Sequence, residues 1–149
     1  MVRFVIYADT EENIRELVPI LRKKTRERGE WALIQTYIGE ERLPLYLSFV
    51  EKNPCLVMVV ASYGQHGQET ARKIRENNRD ARMLWFSDSG NGVYSYRIHV
   101  TCFGLLPPTP EAVGLCLDSC GILPPEPDQI PQPASQSVAQ NSLYAQEPN

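Results

Sequence analysis

The sequence predicts an open, doubly wound α/β domain followed by a polar tail. Three observations predict it. Strand-like runs alternate with helix-patterned runs five times, at a spacing of roughly 20 to 30 residues, as βαβ units require. One run, Cys55 to Val60 (CLVMVV), is continuously apolar, the mark of a central parallel strand covered on both faces. The composition then breaks at Ile122, after which proline and side-chain amides dominate.

The elements follow in order. Val2 to Tyr7 (VRFVIY) is a strand by its β-branched and aromatic content. Asp9 or Thr10 caps the first helix, and Glu12 stands three residues after Asp9 in capping-box spacing. Ile14, Leu17, Val18 and Leu21 form one apolar stripe. The basic run Arg22 to Arg28 and Gly29 are stop signals, and Pro19 inside the helix predicts a kink. Trp31 to Ile38 is the second strand. Gly39 to Glu51 is the second helix, with Leu43, Leu47 and Val50 inward and Pro44 in its first turn. Ala61 to Gly67 reads as a loop and Gln68 to Asn78 as a polar amphipathic helix.

Met83 to Phe86 is the fourth strand, Ser87 to Gly92 a loop and Val93 to Arg97 a short, weak helix or turn. Val100 to Leu106 is the fifth strand. Thr109 caps the last helix, with Pro110 at its first position and Gly121 as its stop. The economical packing is the flavodoxin-like sheet with strand order 2-1-3-4-5.

Residues 1–121 thus form one domain. Residues 122–149 hold six of the twelve prolines and are rich in Gln and Ser. Such a tail buries too little apolar surface to offset its ordering entropy, so it is expected to be disordered, with local polyproline II character. The net charge is −3, and the tail carries Glu126, Asp128 and Glu147 with no basic residue, which leaves the body neutral. That balance argues against a nucleic acid or an acidic membrane as partner. No apolar run is long enough to span a bilayer and no secretory leader is evident, so a cytoplasmic location is expected. None of the four cysteines forms a CxxC pair. Cys55 and Cys102 read as buried thiols in strands, and Cys116 and Cys120 as neighbours on one helix; no metal site is predicted.

Several segments resemble response-regulator receivers, especially the LytTR-linked kind, in the right order and spacing over about residues 2–120. GQETARKIR (67–75) resembles the start of their third helix. FVIYADTEEN resembles the first strand and acidic turn, and NPCLVMVVASYGQHG the third strand and the turn after it. ARMLWFSDS resembles the fourth strand with its switch hydroxyl, and HVTCFGLLPPTPEAV the fifth strand, Lys-Pro turn and fifth helix.

The resemblance implies a phosphorylation pocket, and its chemistry is degenerate. Aspartyl phosphorylation needs a carboxylate at the end of strand three, two more acids for Mg²⁺, a lysine and a Ser or Thr hydroxyl. The matching positions are Val59 for the nucleophile, Ala8 and Asp9 for the acid pair, Pro107 for the lysine and Ser87 for the hydroxyl; the reporting aromatic is replaced by Gly104. No shift of register repairs this. No Asp or Glu stands between Glu51 and Glu69, and Lys73 is the last lysine. By their local chemistry Asp9 serves as a helix cap, Ser87 satisfies a strand end and His66 is a surface loop residue.

The family's pairing surface, formed by the fourth helix, fifth strand and fifth helix, would here include Tyr94, Tyr96, Arg97, His99, Leu115 and Asp118. Tyr and Arg are favoured at interfaces. The sequence therefore predicts a stand-alone pseudo-receiver, in or derived from a two-component phosphorelay. It would bind a sensor kinase, another regulator or itself, with no enzymatic activity and no cofactor. No output domain is expected in the polar tail, so direct DNA binding is not. Two other readings stand beside it: a small-ligand or nucleotide binder in the crevice at the strand C-termini, and a truncated receiver without function.

Overall fold

The computed structural model describes residues 1–39, 53 and 55–125. Five strands, β1 (Val2–Ala8), β2 (Ala32–Ile38), β3 (Leu56–Ala61), β4 (Arg82–Ser87) and β5 (Cys102–Leu105), form one sheet in the order β2-β1-β3-β4-β5. All four pairings are parallel. This is the predicted doubly wound, flavodoxin-like architecture. The second helix expected at residues 40–51 and the tail from residue 126 lie outside the described residues.

Among the described residues four helices cover the sheet: α1 (Glu11–Glu27), α2 (Gly64–Asn77), α3 (Gly92–Arg97) and α4 (Pro110–Ser119), with a 3-10 turn at Ser89–Asn91 before α3. Side chains alternate across the strands, so the sheet has two cores. On one face Phe4, Ile6, Val59, Ala61, Leu84 and Phe86 pack with α1 and α4. On the other, Val5, Met58, Val60, Met83 and Trp85 pack with α2 and, through Tyr94 and Ile98, the α3 segment. Leu17 and Leu21 of α1 are fully buried; each such side chain contributes about 1.5–3 kcal/mol. Pro19 lies inside α1, is exposed, and does not end the helix.

Several local expectations change. Thr10, not Asp9, caps α1: its hydroxyl accepts from the Asn13 N–H at 3.3 Å. The segment read as a loop up to Gly67 is already helical from Gly64, whose φ of +58° makes the turn into the helix. Gly67 must be glycine, since a Cβ there would collide with the Ser62 carbonyl. Cys55 precedes β3 and is exposed rather than buried. Cys116 and Cys120 are buried, and the partner of Cys116 is Cys102 on β5 rather than Cys120. The Cys102 side chain, and after it burial, push the Cys116 thiol up, and the same contact holds the Cys102 thiol below its ordinary value. The packed body also runs past the compositional break, because Ile122 is buried in the core and its N–H reaches Leu117 O at 2.9 Å.

Candidate functional site at the strand C-termini

Parallel strands bring their C-terminal ends together, and the loops after β1, β3 and β4 meet there. Ala8 lies flush with Ala61 across β1 and β3, whereas Val59 lies flush with Ile6. Val59 is therefore a mid-strand core residue, fully buried two positions below the end of β3. An end-of-strand nucleophile would stand at Ala61. The sequence match set Val59 at that position, in a continuously apolar run that carries no mark of where its strand ends. Neither Val59 nor Ala61 carries a carboxyl group.

Two carboxylates do occupy the mouth. Asp9 accepts from Asn13 Nδ2 at 2.6 Å and from the Tyr63 N–H at 3.2 Å. Asn13 Nδ2 also reaches the Ala61 carbonyl at 3.3 Å. Asp88 accepts from the Gly64 N–H and from Ser87 Oγ, both at 2.9 Å, and from Asn91 Nδ2 at 3.3 Å. Asn91 Nδ2 further donates to Ser87 Oγ at 2.9 Å and to the Gly64 carbonyl at 3.1 Å. Gln68 Nε2 holds the Asn91 carbonyl oxygen at 2.7 Å. The turn after β3 is thus gripped from both sides, by Asp9 at Tyr63 and by Asp88 at Gly64.

The Gly64 N–H, and after it the Ser87 hydroxyl, hold the Asp88 carboxyl below its ordinary pKa. Partial burial, and the charges of Glu16, Asp9, Glu12 and Asp88, raise the Tyr63 phenol. The mouth is consequently acidic, and its carboxylates are spent on backbone amides. Among the described residues, no group of three or more His, Cys, Asp or Glu is arranged to hold a metal ion.

Ser87 is buried within this network, as a hydroxyl satisfying a strand end. His66 sits in the first turn of α2, not in a loop, with Nδ1 2.7 Å from Ser62 Oγ. Pro107 is exposed; the register partner of Ser87 is Leu105, and the next residue, Leu106, donates its N–H to Ser87 O at 2.9 Å and adds its side chain to the core. Neither position supplies an ammonium group. At Gly104 a Cβ would sit 2.7 Å from the Phe86 ring, so Phe86 fills the space of any side chain there.

The predicted interaction residues separate into three environments. Tyr94 packs edge-on against Trp85, with centroids 6.2 Å apart, and belongs to the core. Asp118 is tied to Arg28 of α1 at 3.0 Å. Arg97 and His99 line a groove against α2. Tyr96 and Leu115 are the two with large exposed apolar surface, 83% and 66%. The sequence reading missed Val93 and Leu105, exposed on α3 and β5, and also Ala61, Asn13, Asp88 and Asn91 at the mouth. The one available signal was Asp88, directly after Ser87.

No family model and no curated protein matches the chain. Its fold is shared with solved receiver structures. One is the BeF3-activated DrrB receiver domain, with a TM-score of 0.57 and 14% identity, covering 80% of this chain and 97% of that one. Another is a response regulator protein from Burkholderia pseudomallei with a phosphorylated aspartic acid, calcium ion and citrate, with a TM-score of 0.52 and 14% identity, covering 82% and 71%. The chain therefore has the flavodoxin-like fold that these structures share. No helix among the described residues is long and apolar enough to cross a membrane.

Proposed function

We propose that this chain is a receiver-derived signalling domain that works by binding a protein partner, a second copy included, and accepts no phosphoryl group. The Ala8–Ala61 pair carries the reading: where β1 and β3 end together, both side chains are methyl groups. An acyl phosphate needs a carboxyl oxygen at that point, and a methyl group supplies none. Asp9 and Asp88 are held on amides of the neighbouring turn, and no lysine follows Lys73. With no phosphate to bias two states, the domain acts by occupancy in one conformation. In this role it is not an enzyme and uses no cofactor.

Binding is assigned to the elements beside the open edge of the sheet. Val93 and Tyr96 on α3, Leu105 on β5 and Leu115 on α4 are exposed apolar side chains there. Exposed apolar clusters of this kind mark protein interfaces.

The test has two parts. Incubation with labelled acetyl phosphate should leave no hydroxylamine-labile label; a stable label on any carboxylate defeats the first half of the proposal. A photo-cross-linker at Tyr96, compared with one at Glu11 on the far side, should trap a protein or a second copy of the chain only from Tyr96. Equal trapping from both positions, or none, defeats the second half.

A further inference from the structure

The opposite end of the sheet holds a groove of about 590 Å³ between the C-terminal parts of α2 and α3. It lies where the chain enters β4 and β5, away from the crevice described above. One wall is Arg72, Arg75 and Arg79; the other is Arg97, Ile98 and His99. Glu76 is the one carboxylate in its lining, and it is paired with Arg72 at 3.0 Å. Asp80, just outside, acts on Arg75 through its charge.

Arg75 is the strut between the walls. Its Nη1 donates to the carbonyls of Asn78, Arg79 and Ala81 at 3.1, 2.9 and 2.9 Å, and its Nη2 to His99 O at 2.9 Å. These acceptors are neutral, so the guanidinium is fixed without being cancelled. Its Nε is buried with no hydrogen-bond partner. His99 is held at φ +58°, a conformation side-chain-bearing residues rarely adopt, with its carbonyl on this strut. The side chains of Arg79 and Arg97 are exposed and make no hydrogen bond or ion pair among the described residues. Converging like charges on a pre-built surface is unfavourable unless an anion answers them.

We propose that this groove binds an acidic segment of a partner protein, with carboxylates on Arg79 and Arg97 and an apolar side chain on Ile98. The groove has room for more than a lone small anion, since drug-sized ligand sites span about 300–1,000 Å³. Guanidinium forks match carboxylate geometry. Nucleic acid is disfavoured because the groove's lining holds no Phe, Tyr or Trp on which successive bases could stack and the chain is net negative, −3. The groove is preformed by Arg75, which lowers the ordering cost of binding. This assignment is independent of the reading of the strand-end crevice.

The test uses the full chain and fluorescein-labelled short peptides in which Leu alternates with Glu, Ser or Lys, read by anisotropy at low and high salt. The Glu–Leu peptide should bind, the other two should not, and salt should weaken the complex. Replacing both exposed arginines (Arg79→Ser with Arg97→Ser) should weaken binding by about tenfold or more, with an unchanged melting midpoint. Arg22→Ser with Arg26→Ser on α1 should bind like the parent. Equal binding of the three peptides, or indifference to the Arg79 and Arg97 changes, overturns the proposal. So does tighter, Arg79- and Arg97-dependent binding of labelled oligothymidine, which would make the groove a nucleic-acid site.

Discussion

The ring of Phe86 stands where a side chain at Gly104 would begin, 2.7 Å from the position of a Cβ. The two residues are register partners on β4 and β5. One residue's aromatic volume is therefore supplied by its neighbour, and strand five can come close enough to pair only because residue 104 has no side chain.

Gly104→Ala should accordingly destabilise the fold by about 1–3 kcal/mol through overpacking. Combining it with Phe86→Leu should recover part of that loss, because the double change restores volume. Urea denaturation of the four variants measures the coupling. Strict additivity of the two changes would show that the ring and the methyl group do not compete.

The end of β3 can be located by inserting charge. Val59→Asp places a carboxylate among Ile6 and Leu84 with no partner and should cost about 3–5 kcal/mol, a large share of a domain's stability. Ala61→Asp lies at the strand end beside Ala8 and should cost distinctly less. If far-UV circular dichroism and urea midpoints rank them the other way, Val59 is not the more deeply packed of the two positions.

Asp88 makes stability depend on acid. Its carboxyl lies below the ordinary value because Gly64 N–H and Ser87 Oγ bond its charged form. A lowered folded-state pKa stabilises fully above the unfolded carboxylate value of about 4 and is lost as pH falls through the folded value. The parent should therefore exceed Asp88→Asn in stability near neutrality, and the gap should close on acidification below about pH 4. A gap that stays constant between neutral and strongly acid pH would remove Asp88 from this role.

Arg28 fastens α1 to α4. Its Nη2 donates to Gly114 O at 3.2 Å and Asp118 Oδ1 at 3.0 Å, and its Nη1 to Lys24 O at 3.2 Å. Arg28→Ala should cost about 2 kcal/mol, since three bonds from a charged donor are lost. Asp118→Ala should cost about 1 kcal/mol or less, because the carboxylate is half solvated. Thermal or urea midpoints decide this, and the reverse order is the outcome that counts against the tether.

The thiols should divide by burial. Cys55 is exposed, while Cys116 and Cys120 are buried and both are pushed up, Cys120 to about 11. Iodoacetamide on the native protein near neutral pH should alkylate Cys55 and spare Cys116 and Cys120 until denaturant is added. Peptide mass mapping reads the pattern, and rapid native labelling of Cys116 would contradict the packing of α4.

Local physics made much of this protein legible from its residues. The apolar run of β3, the stripe of Leu17 and Leu21, the cap at Thr109 with Pro110 and the stop at Gly121 follow from periodicity and backbone chemistry, and the strand order from the economical packing of alternating strands and helices. The absence of a carboxylate between Glu51 and Glu69 is equally plain without coordinates. Tertiary structure alone decided what depends on register and on contacts between distant segments. A strand's end is set by its neighbours' lengths, so Ala61 rather than Val59 faces Ala8. A carboxylate's role is set by the donor that reaches it, so Asp9 grips the Tyr63 amide and Asp118 holds Arg28. Arg75 and His99 are far apart in sequence, and folding alone closes the bond between them that builds a basic groove.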